Sequence, residues 1–369
     1  MLAGIPAPSN NPNAEFPRIL HDGRITFGVK APDAQKVQLL PLMGEPENNG
    51  QNGLGRDPYD MTKDENGLWT VTIPPVGPGI YDYFIVIDGF MVSDPGSTTS
   101  YVIDRELSCI EVPAQEPMFY DIQDVPHGEV RQRWYHSEVT GKWRRALVYT
   151  PAEYDANPTK RYPVLYLQHG GTQNETSWVT GGKANFILDN LIAAGKAVPM
   201  LVVMDNGTTF PPGLTRLPDP PPAGNPFERV MINEIIPMID STYRTIPDQP
   251  HRAMAGLSMG SHQTLQITLA HLDTFSHIGP FSPAPMPEFD VNTYYGGVLA
   301  NAEEFNRKVR LFFYGVGTTE KKIHASAKNI VEKVRKVGIK IVFKEWPGDS
   351  HEWRLWRKCL HEYAQMLFR

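Results

Sequence analysis

Residues 256–260 read Gly-Leu-Ser-Met-Gly, a G-x-S-x-G sequence centred on Ser258. A serine on a sharp strand-to-helix turn exposes its hydroxyl as a nucleophile, and glycines keep side chains away from the neighbouring backbone. Residues 252–255 are mostly apolar, as in a buried strand, and residues 261–271 predict a helix. This setting favours a nucleophile over the alternative of an ordinary Gly/Ser turn.

A serine hydroxyl needs a base to take its proton and an acid to orient and stabilise that base. In α/β-hydrolases the partners follow in the order serine, acid, histidine, each on a loop after a strand. Here Glu320 follows a predicted strand at 311–314, and His351 follows a predicted strand at 339–343. The order and positions predict a Ser258, Glu320 and His351 triad.

Other residues compete for the two supporting roles. Asp290 and Asp349 are the alternative acids, but the first precedes the expected strand and the second lies close in sequence to the predicted base. His262 and His324 are the alternative bases. His262 shares the helix of the serine, and His324 shares the loop of the acid.

An oxyanion needs preorganised N–H donors. One is expected from the backbone of Met259, directly after the nucleophile. The other is expected from the Gln-His-Gly-Gly-Thr loop at 168–172, with Gly171 favoured over Gly170. We expect His169 to brace this loop rather than take part in the chemistry.

Aromatic residues near strand ends are candidates for the substrate pocket. We predict that Trp178, after the oxyanion loop, and Trp346 line it, and such walls would suit an aromatic acyl group. The alternative is that each belongs to the core. The sequence has no H-E-x-x-H, C-x-x-C or P-loop motif, so neither a metal nor a nucleotide cofactor is predicted.

The elements that must position these residues alternate as strands and helices over 127–369, which is typical of an α/β domain. Residues 200–204 read as a buried strand and 184–195 as a helix. A second helix at 228–243 is expected to be interrupted near Pro237.

The N-terminal part has a different organisation. Residues 1–19 are predicted to be a mobile lead-in, and 113–126 a proline-containing linker. Between them, 20–112 reads as short strands separated by turns, for example at 68–73 and 81–87. We therefore predict a β-sandwich before the α/β domain.

Four short blocks in this sandwich resemble a family 48 carbohydrate-binding module, an immunoglobulin-like domain that precedes many glucan-acting enzymes. They are Gly-Leu-Trp at 67–69, Pro-Gly-Ile-Tyr-Asp-Tyr at 78–83, Ile-Asp-Gly at 87–89 and Ser-Asp-Pro at 93–95. The resemblance makes Trp69 a candidate sugar contact. Core packing is the alternative for its ring, and a purely structural module is the alternative for the domain.

The C-terminal part is similar to the esterase D-like group of carbohydrate esterase family 1. The matching blocks are Val-Tyr-Thr-Pro at 148–151, Tyr-Pro-Val-Leu-Tyr-Leu-Gln-His-Gly at 162–170, 255–260, and His-Glu-Trp at 351–353. The resemblance implies Ser258 as nucleophile, His351 as base, Glu320 as acid, and Met259 and Gly171 as oxyanion donors. The family usually has Asp as the acid, and Glu reaches one methylene further.

This group includes feruloyl and acetyl xylan esterases. Together with a sugar-binding module, the resemblance implies release of ferulate from arabinoxylan through an acyl-enzyme. The partner would be feruloylated plant cell-wall polysaccharide, and further catalytic domains in a longer parent chain would fit. Alternatives are an acetyl xylan esterase, a siderophore (enterochelin-type) esterase and a non-catalytic glycan-binding protein.

Composition limits other functions. The 369 residues carry a net charge of −6, which gives no basic surface for nucleic acid or anionic membrane. No apolar run approaches the roughly 20 residues of a membrane span. The first residues do not resemble a signal peptide. We expect a secreted protein whose leader is absent from this sequence, with a cytoplasmic location as the alternative.

Overall fold

The computed structural model describes residues 4–42, 53–55, 57–209 and 226–369. The chain forms two compact units. The N-terminal unit comprises Met1–Met118 together with Ser350–Arg354, and the C-terminal unit comprises Phe119–Asp349 together with Leu355–Arg369. The domain boundaries read from the sequence stay predictions.

The described part of the N-terminal unit contains two antiparallel sheets. One has the strand order β1-β2-β3-β7-β6, and the other has the order β10-β11-β8-β4-β5 with β9 added on β8. The strands are β1 Ile5–Pro6, β2 Arg18–Ile19, β3 Ile25–Lys30, β4 Val37–Pro41, β5 Tyr59–Asp60, β6 Thr62–Lys63, β7 Leu68–Ile73, β8 Gly79–Ile87, β9 Phe90–Val92, β10 Thr99–Val102 and β11 Arg105–Val112.

The two sheets share one apolar core. Alternate residues of β3, Ile25 and Phe27, and of β8, Tyr83 and Ile85, are fully buried in the same cluster. The rings of Phe27 and Tyr83 meet edge to face at 4.8 Å. Because side chains alternate between the faces of a strand, one face of each sheet packs against the other. The unit is therefore a two-layer β-sandwich.

Trp69 lies in this core, which corrects its assignment as a sugar contact. Its side chain is 8% exposed, and its indole N–H donates to the carbonyl of Ala31 at 2.8 Å. A buried ring with its polar atom already bonded has no face left for a sugar.

The C-terminal unit is built on an eight-stranded sheet of order β12-β13-β15-β14-β16-β17-β18-β19. β12 and β13 form an antiparallel hairpin that pairs with β15. The remaining six strands, β15, β14, β16, β17, β18 and β19 in sheet order, run parallel. The strands are β12 Glu129–Ser137, β13 Lys142–Thr150, β14 Val164–Gln168, β15 Leu201–Asp205, β16 Arg252–Leu257, β17 His277–Phe281, β18 Leu311–Gly317 and β19 Val342–Trp346.

Helices follow most of the parallel strands, so the α/β prediction for this unit is confirmed. In the described residues they are α1 Ser177–Thr180, α2 Ala184–Ala193, α3 Pro226–Val230, α4 Ile236–Thr242, α5 Met259–Ala270, α6 Ala302–Lys308, α7 Lys321–Lys336 and α8 Trp353–Met366. Every residue of β14, β15, β17 and β18 is buried, as expected for a parallel sheet covered on both faces. Loops after parallel strands gather at one edge of the sheet, where ligands usually bind.

The predicted helix at 228–243 is broken in a different way from the expected kink. A π-helical turn, Met231–Ile235, joins α3 to α4. Pro237 then lies in the first turn of α4, directly after this π-turn. The π-turn, rather than a bend at the proline, absorbs the irregularity.

None of the helices in the described ranges is long and apolar enough to cross a membrane. Within the same ranges, no cluster of three or more His, Cys, Asp or Glu side chains is arranged to hold a metal ion. Cys109 and Cys359 are both buried, and neither forms a disulfide bond.

Candidate active site

Ser258 occupies a strained turn between β16 and α5. Its backbone has φ 51° and ψ −114°, and its N–H donates to the carbonyl of Phe281 at 3.0 Å. A Cβ on Gly256 would come within 2.6 Å of the Gly260 carbonyl carbon, and one on Gly260 within 2.8 Å of the Gln168 Cβ. A side chain at either position would collide with these atoms, so the turn requires glycine at both. Strain of this kind costs roughly 1–3 kcal/mol and clusters at functional sites.

Two backbone amides beside this turn fit an oxyanion site. A Cβ built on Gly171 would lie 4.0 Å from the Met259 Cβ, so the two residues are neighbours. The N–H of Gly170 is already used, because it donates to Oε1 of Gln173 at 2.9 Å. Within the part of the chain that the structure describes, the amides of Gly171 and Met259 have no such partner. Gly171 is therefore better placed than Gly170 to donate to an oxyanion.

His169 braces the oxyanion loop. Its Nδ1 lies 2.7 Å from the Gly170 carbonyl oxygen, and its Nε2 accepts from the Gly207 N–H at 2.9 Å. An acceptor Nε2 and a donor Nδ1 require the neutral ring. Burial lowers the pKa of His169 to about 4, in agreement with that protonation state. The imidazole links the loop after β14 to the segment after β15.

Acid is expected to destabilise the protein partly through this ring. The unfolded chain binds more protons than the folded one between the unfolded pKa, near 6.5, and the folded pKa of about 4. Stability from His169 is therefore present above pH 6.5 and falls as the pH drops through this window, by up to about 3 kcal/mol. Urea unfolding at pH 7.0 and 4.5 should show a smaller acid loss for His169→Gln than for the wild type.

Comparing variants isolates His169 from other buried groups. Burial raises the pKa of Asp205 to about 6, and this carboxyl contributes in the opposite direction over the same range. Because Asp205 is present in both proteins, its effect cancels in the difference. Equal acid losses in the two proteins would contradict the assigned role of the ring.

Glu320 is buried at the end of the loop after β18. Its Oε2 accepts from the N–H of Gly317 at 2.7 Å and from Oγ of Ser282 at 3.0 Å. Ser282 follows β17 with φ 48°, and its own N–H donates to the Gly315 carbonyl at 2.8 Å. Two loops thus fix one carboxylate oxygen. The sequence did not point to Ser282 as a partner of the acid, because the contact joins positions 38 residues apart.

The competing acids have other roles. Asp349 is buried, and its Oδ2 lies 2.6 Å from Nζ of Lys358. Asp290 is exposed, and its Oδ1 accepts from both the backbone and the side-chain amide of Asn292. The first carboxylate neutralises a lysine and the second stabilises a surface turn. Glu320 is buried and accepts hydrogen bonds from two neutral donors, as suits a group that orients a base.

The loop that precedes His351 is hydrogen-bonded to the loop that carries Glu320. The N–H of Thr318 donates to the Trp346 carbonyl at 3.1 Å. The N–H and hydroxyl of Thr319 both donate to the Asp349 carbonyl, at 3.1 and 2.5 Å. The loop after β19 is therefore held against the loop that carries the acid, and His351 follows two residues beyond Asp349.

The competing bases are differently engaged. His324 lies on α7, with its Nε2 2.6 Å from Oε1 of Glu345. His262 lies one turn along α5 from the nucleophile, where its N–H contacts the Ser258 carbonyl at 3.3 Å. In this fold the base comes from a loop after a later strand, whereas His262 lies on the helix that directly follows the serine.

Trp178 belongs to the core, which corrects its assignment to the substrate pocket. Its side chain is 0% exposed, its indole N–H donates to the Gln168 carbonyl at 2.8 Å, and its ring meets Phe281 edge to face. Through its hydrogen bond to Gln168, the tryptophan holds the start of the loop at 168–172. Trp346 is only partly buried at the end of β19 and lies beside Gly315, and its contact with substrate stays a prediction.

A cavity of about 920 Å³ opens along α5, beginning at His262. Aromatic and apolar side chains dominate its wall, with a few polar groups among them. The lining residues are Glu228, His262, Gln266, Leu269, Ala270, Pro285, Met286, Pro287, Glu288, Thr293, Tyr294, Tyr295 and Gly296. Its size and lining are those of a small-molecule site.

The parallel sheet, its covering helices and the strained strand-to-helix turn at Ser258 are features of the α/β-hydrolase type of fold. A family described as "Putative esterase" matches residues 137–366. The match covers more than half of the chain, and the chain therefore belongs to this esterase family.

Individual relatives agree with the family. An endo-1,4-beta-xylanase/feruloyl esterase of Xylanibacter ruminicola is 38% identical over 99% of this chain, which spans only 47% of that relative's length. The structure of a family CE1 ferulic acid esterase from Anaeromyces mucronatus is 25% identical, with a TM-score of 0.57 over 68% of this chain and 94% of its own. An enterobactin esterase from Shigella flexneri shares the fold at 15% identity, with a TM-score of 0.65 over 93% of this chain and 92% of its own.

Proposed function

We propose that the chain is a serine feruloyl esterase that releases hydroxycinnamate from arabinoxylan through an acyl-enzyme. The observation that carries this proposal is the strained Ser258 turn with the Gly171 and Met259 amides beside it. A nucleophile next to two unused amides is the arrangement that acyl transfer requires. The names of the Xylanibacter and Anaeromyces relatives support the substrate class.

The reaction would proceed in two similar halves. Ser258 attacks the ester carbonyl as His351 takes its proton, and the amides of Gly171 and Met259 stabilise the oxyanion. His351 then protonates the leaving sugar hydroxyl. Water repeats the attack on the acyl-enzyme with the same base, and free hydroxycinnamic acid leaves. Glu320 would hold the imidazole in the correct tautomer and stabilise its charged form. We assign this role to His351 because it follows β19 and because hydrogen bonds hold the loop before it against the loop of Glu320.

The cavity along α5 favours an aromatic acyl group over acetyl. Tyr294, Tyr295 and Met286 give it a large apolar wall, and it begins one helical turn beyond the nucleophile. An acetyl group would leave most of this space unfilled, whereas a hydroxycinnamoyl group could bury its ring there.

The N-terminal unit is proposed to be a carbohydrate-binding module of the family 48, immunoglobulin-like type. Its two-layer β-sandwich is compatible with that assignment. If it binds sugar, residues other than Trp69 must make the contact. We also propose that the protein acts outside the cell on plant cell-wall polysaccharide, because such a polymer cannot enter. Further domains in a longer chain would fit the length of the Xylanibacter relative.

Parallel assays with methyl ferulate and acetylated xylan test the proposed substrate. We expect kcat/KM for the ferulate ester to exceed that for acetyl release by at least about a hundredfold, because only the larger acyl group fills the cavity. Ser258→Ala serves as the blank that ties turnover to this site. Acetate release without ferulate release would make the protein an acetyl xylan esterase. Turnover of neither ester would leave the siderophore-esterase and glycan-binding alternatives.

A further inference from the structure

Two exposed tryptophans share one face of the β12–β13 hairpin. Trp134 is 56% exposed and Trp143 is 69% exposed. The strand register pairs Trp134 with Arg145 and His136 with Trp143. Directly opposed residues of an antiparallel pair point to the same side of the sheet, so all four side chains lie on one face. We call these four residues the edge platform.

The other face of the same strands is anchored in the core. Tyr135 and Arg144, which alternate with the platform residues, are turned inward, and the Tyr135 hydroxyl and Nη2 of Arg144 both contact the buried carboxylate of Asp205. Charge-assisted hydrogen bonds of this kind are strong when buried. The platform is therefore presented by a fixed piece of sheet.

The platform projects from the edge of the sheet that carries the serine turn. Ala146 pairs with Asp205, the last residue of β15, so residues 142–145 extend beyond the carboxyl end of that strand. Arg145 contacts Glu175, in the segment after the oxyanion loop, at 2.5 Å. Adjacent strands lie about 4.8 Å apart, and β13 and β16 are three positions apart in the sheet. The β13 strand is thus roughly 15 Å from the strand that ends at the nucleophile.

The chemistry of the platform suits a chain of pyranose rings. The Arg145 guanidinium lies 5.7 Å from the Trp134 ring, and the His136 ring meets the Trp143 ring at 5.7 Å and 78°. These contacts place a guanidinium and an imidazole beside two indoles that stay more than half exposed. A pyranose has apolar C–H faces and a rim of hydroxyls, so it can cover an indole and bond to its polar neighbours. Exposed apolar patches with polar rims commonly mark binding surfaces.

We propose that the edge platform binds the xylan main chain of the polymeric ester while the feruloyl branch reaches Ser258. This inference rests on the proposed function for its choice of polymer. It extends that function by placing a polysaccharide-binding surface on the C-terminal unit itself, continuous through Arg145 and Glu175 with the segment after the oxyanion loop.

The test compares a polymeric and a small substrate. In the Trp134→Ala/Trp143→Ala double variant, we expect kcat/KM on feruloylated arabinoxylan to fall about tenfold while methyl ferulate turnover stays within twofold of wild type. The same double substitution in a Ser258→Ala background should weaken retardation of the protein in gels containing soluble arabinoxylan. Ile122→Ala, which alters another side chain that is 69% exposed, is the matched control and should change neither readout.

Each other result would overturn the proposal. Unchanged polymer turnover and retardation would mean that the tryptophans do not touch xylan. An equal loss on both substrates with a lower Tm would mean that they only stabilise the hairpin. A change in sedimentation without a change in retardation would make the face a contact between copies of the chain. Retardation needs no catalysis, so it tests the platform even if the wild type hydrolyses neither ester and the proposed function fails.

Discussion

Replacing Ser258 with alanine is expected to lower kcat for methyl ferulate by about five orders of magnitude, or about 7 kcal/mol of transition-state stabilisation. The variant keeps the oxyanion amides and the cavity but has no nucleophile, so substrate should still bind and KM should change little. Initial rates at saturating ester, followed by release of the free acid, measure this loss.

Ser261→Ala is the matched control for that experiment. Ser261 is a fully buried serine on the same helix, three residues further on, and its loss should leave kcat within about threefold of wild type. Alanine tolerates the unusual backbone angles at 258 no worse than serine does, so the Ser258→Ala protein should keep a wild-type Tm. If Ser258→Ala retained a tenth or more of the wild-type kcat, the nucleophile would have to lie elsewhere.

Local requirements made part of this site predictable from the sequence. The turn at Ser258 needs glycine at two fixed offsets, and a Cβ on Gly256 or Gly260 would indeed collide with neighbouring atoms. The order of strands and the loops that follow them is likewise a property of the linear sequence, which is why the α/β organisation could be read from it.

Contacts between distant segments could not be predicted in this way. The hydrogen bond from Ser282 to Glu320 exists only after β17 and β18 have paired. Even the local bond from the Gly170 N–H to Gln173, three residues away, depends on a loop conformation that the residue types do not specify. Sequence spacing gives candidates for such roles, but the choice among them depends on tertiary structure.

Burial was the other property that the sequence left open. Trp69 and Trp178 looked suitable for ligand contact, yet both rings lie in a core with their N–H groups bonded to carbonyls. Conversely, strand β12 escaped notice because its nine residues are largely polar and lack a clear alternation. It is an edge strand with one face in solvent, and that exposure is what allows it to carry Trp134.

Glu320→Gln is expected to lower kcat by about three to four orders of magnitude with little change in KM. The amide is nearly isosteric, but it cannot stabilise a charged imidazolium and favours the wrong tautomer of the base. Glu320→Asp should lose far less, because it keeps the charge and shortens the reach by one methylene. A graded series of wild type, Asp and Gln, measured at saturating methyl ferulate, would therefore separate the charge of this residue from its size.

Asp349→Asn provides the comparison that decides between the two carboxylates. Asp349 is as buried as Glu320, but it neutralises Lys358 at 2.6 Å. Removing its charge should lower the free energy of unfolding by about 1–3 kcal/mol while leaving kcat within about tenfold of wild type, because a partly buried lysine loses its partner. Urea unfolding and kcat are measured on both variants. Asp349→Asn should mainly lose stability, whereas Glu320→Gln should mainly lose kcat. If Asp349→Asn cost more in kcat than Glu320→Gln, Asp349 would be the acid of the triad and Glu320 a structural residue.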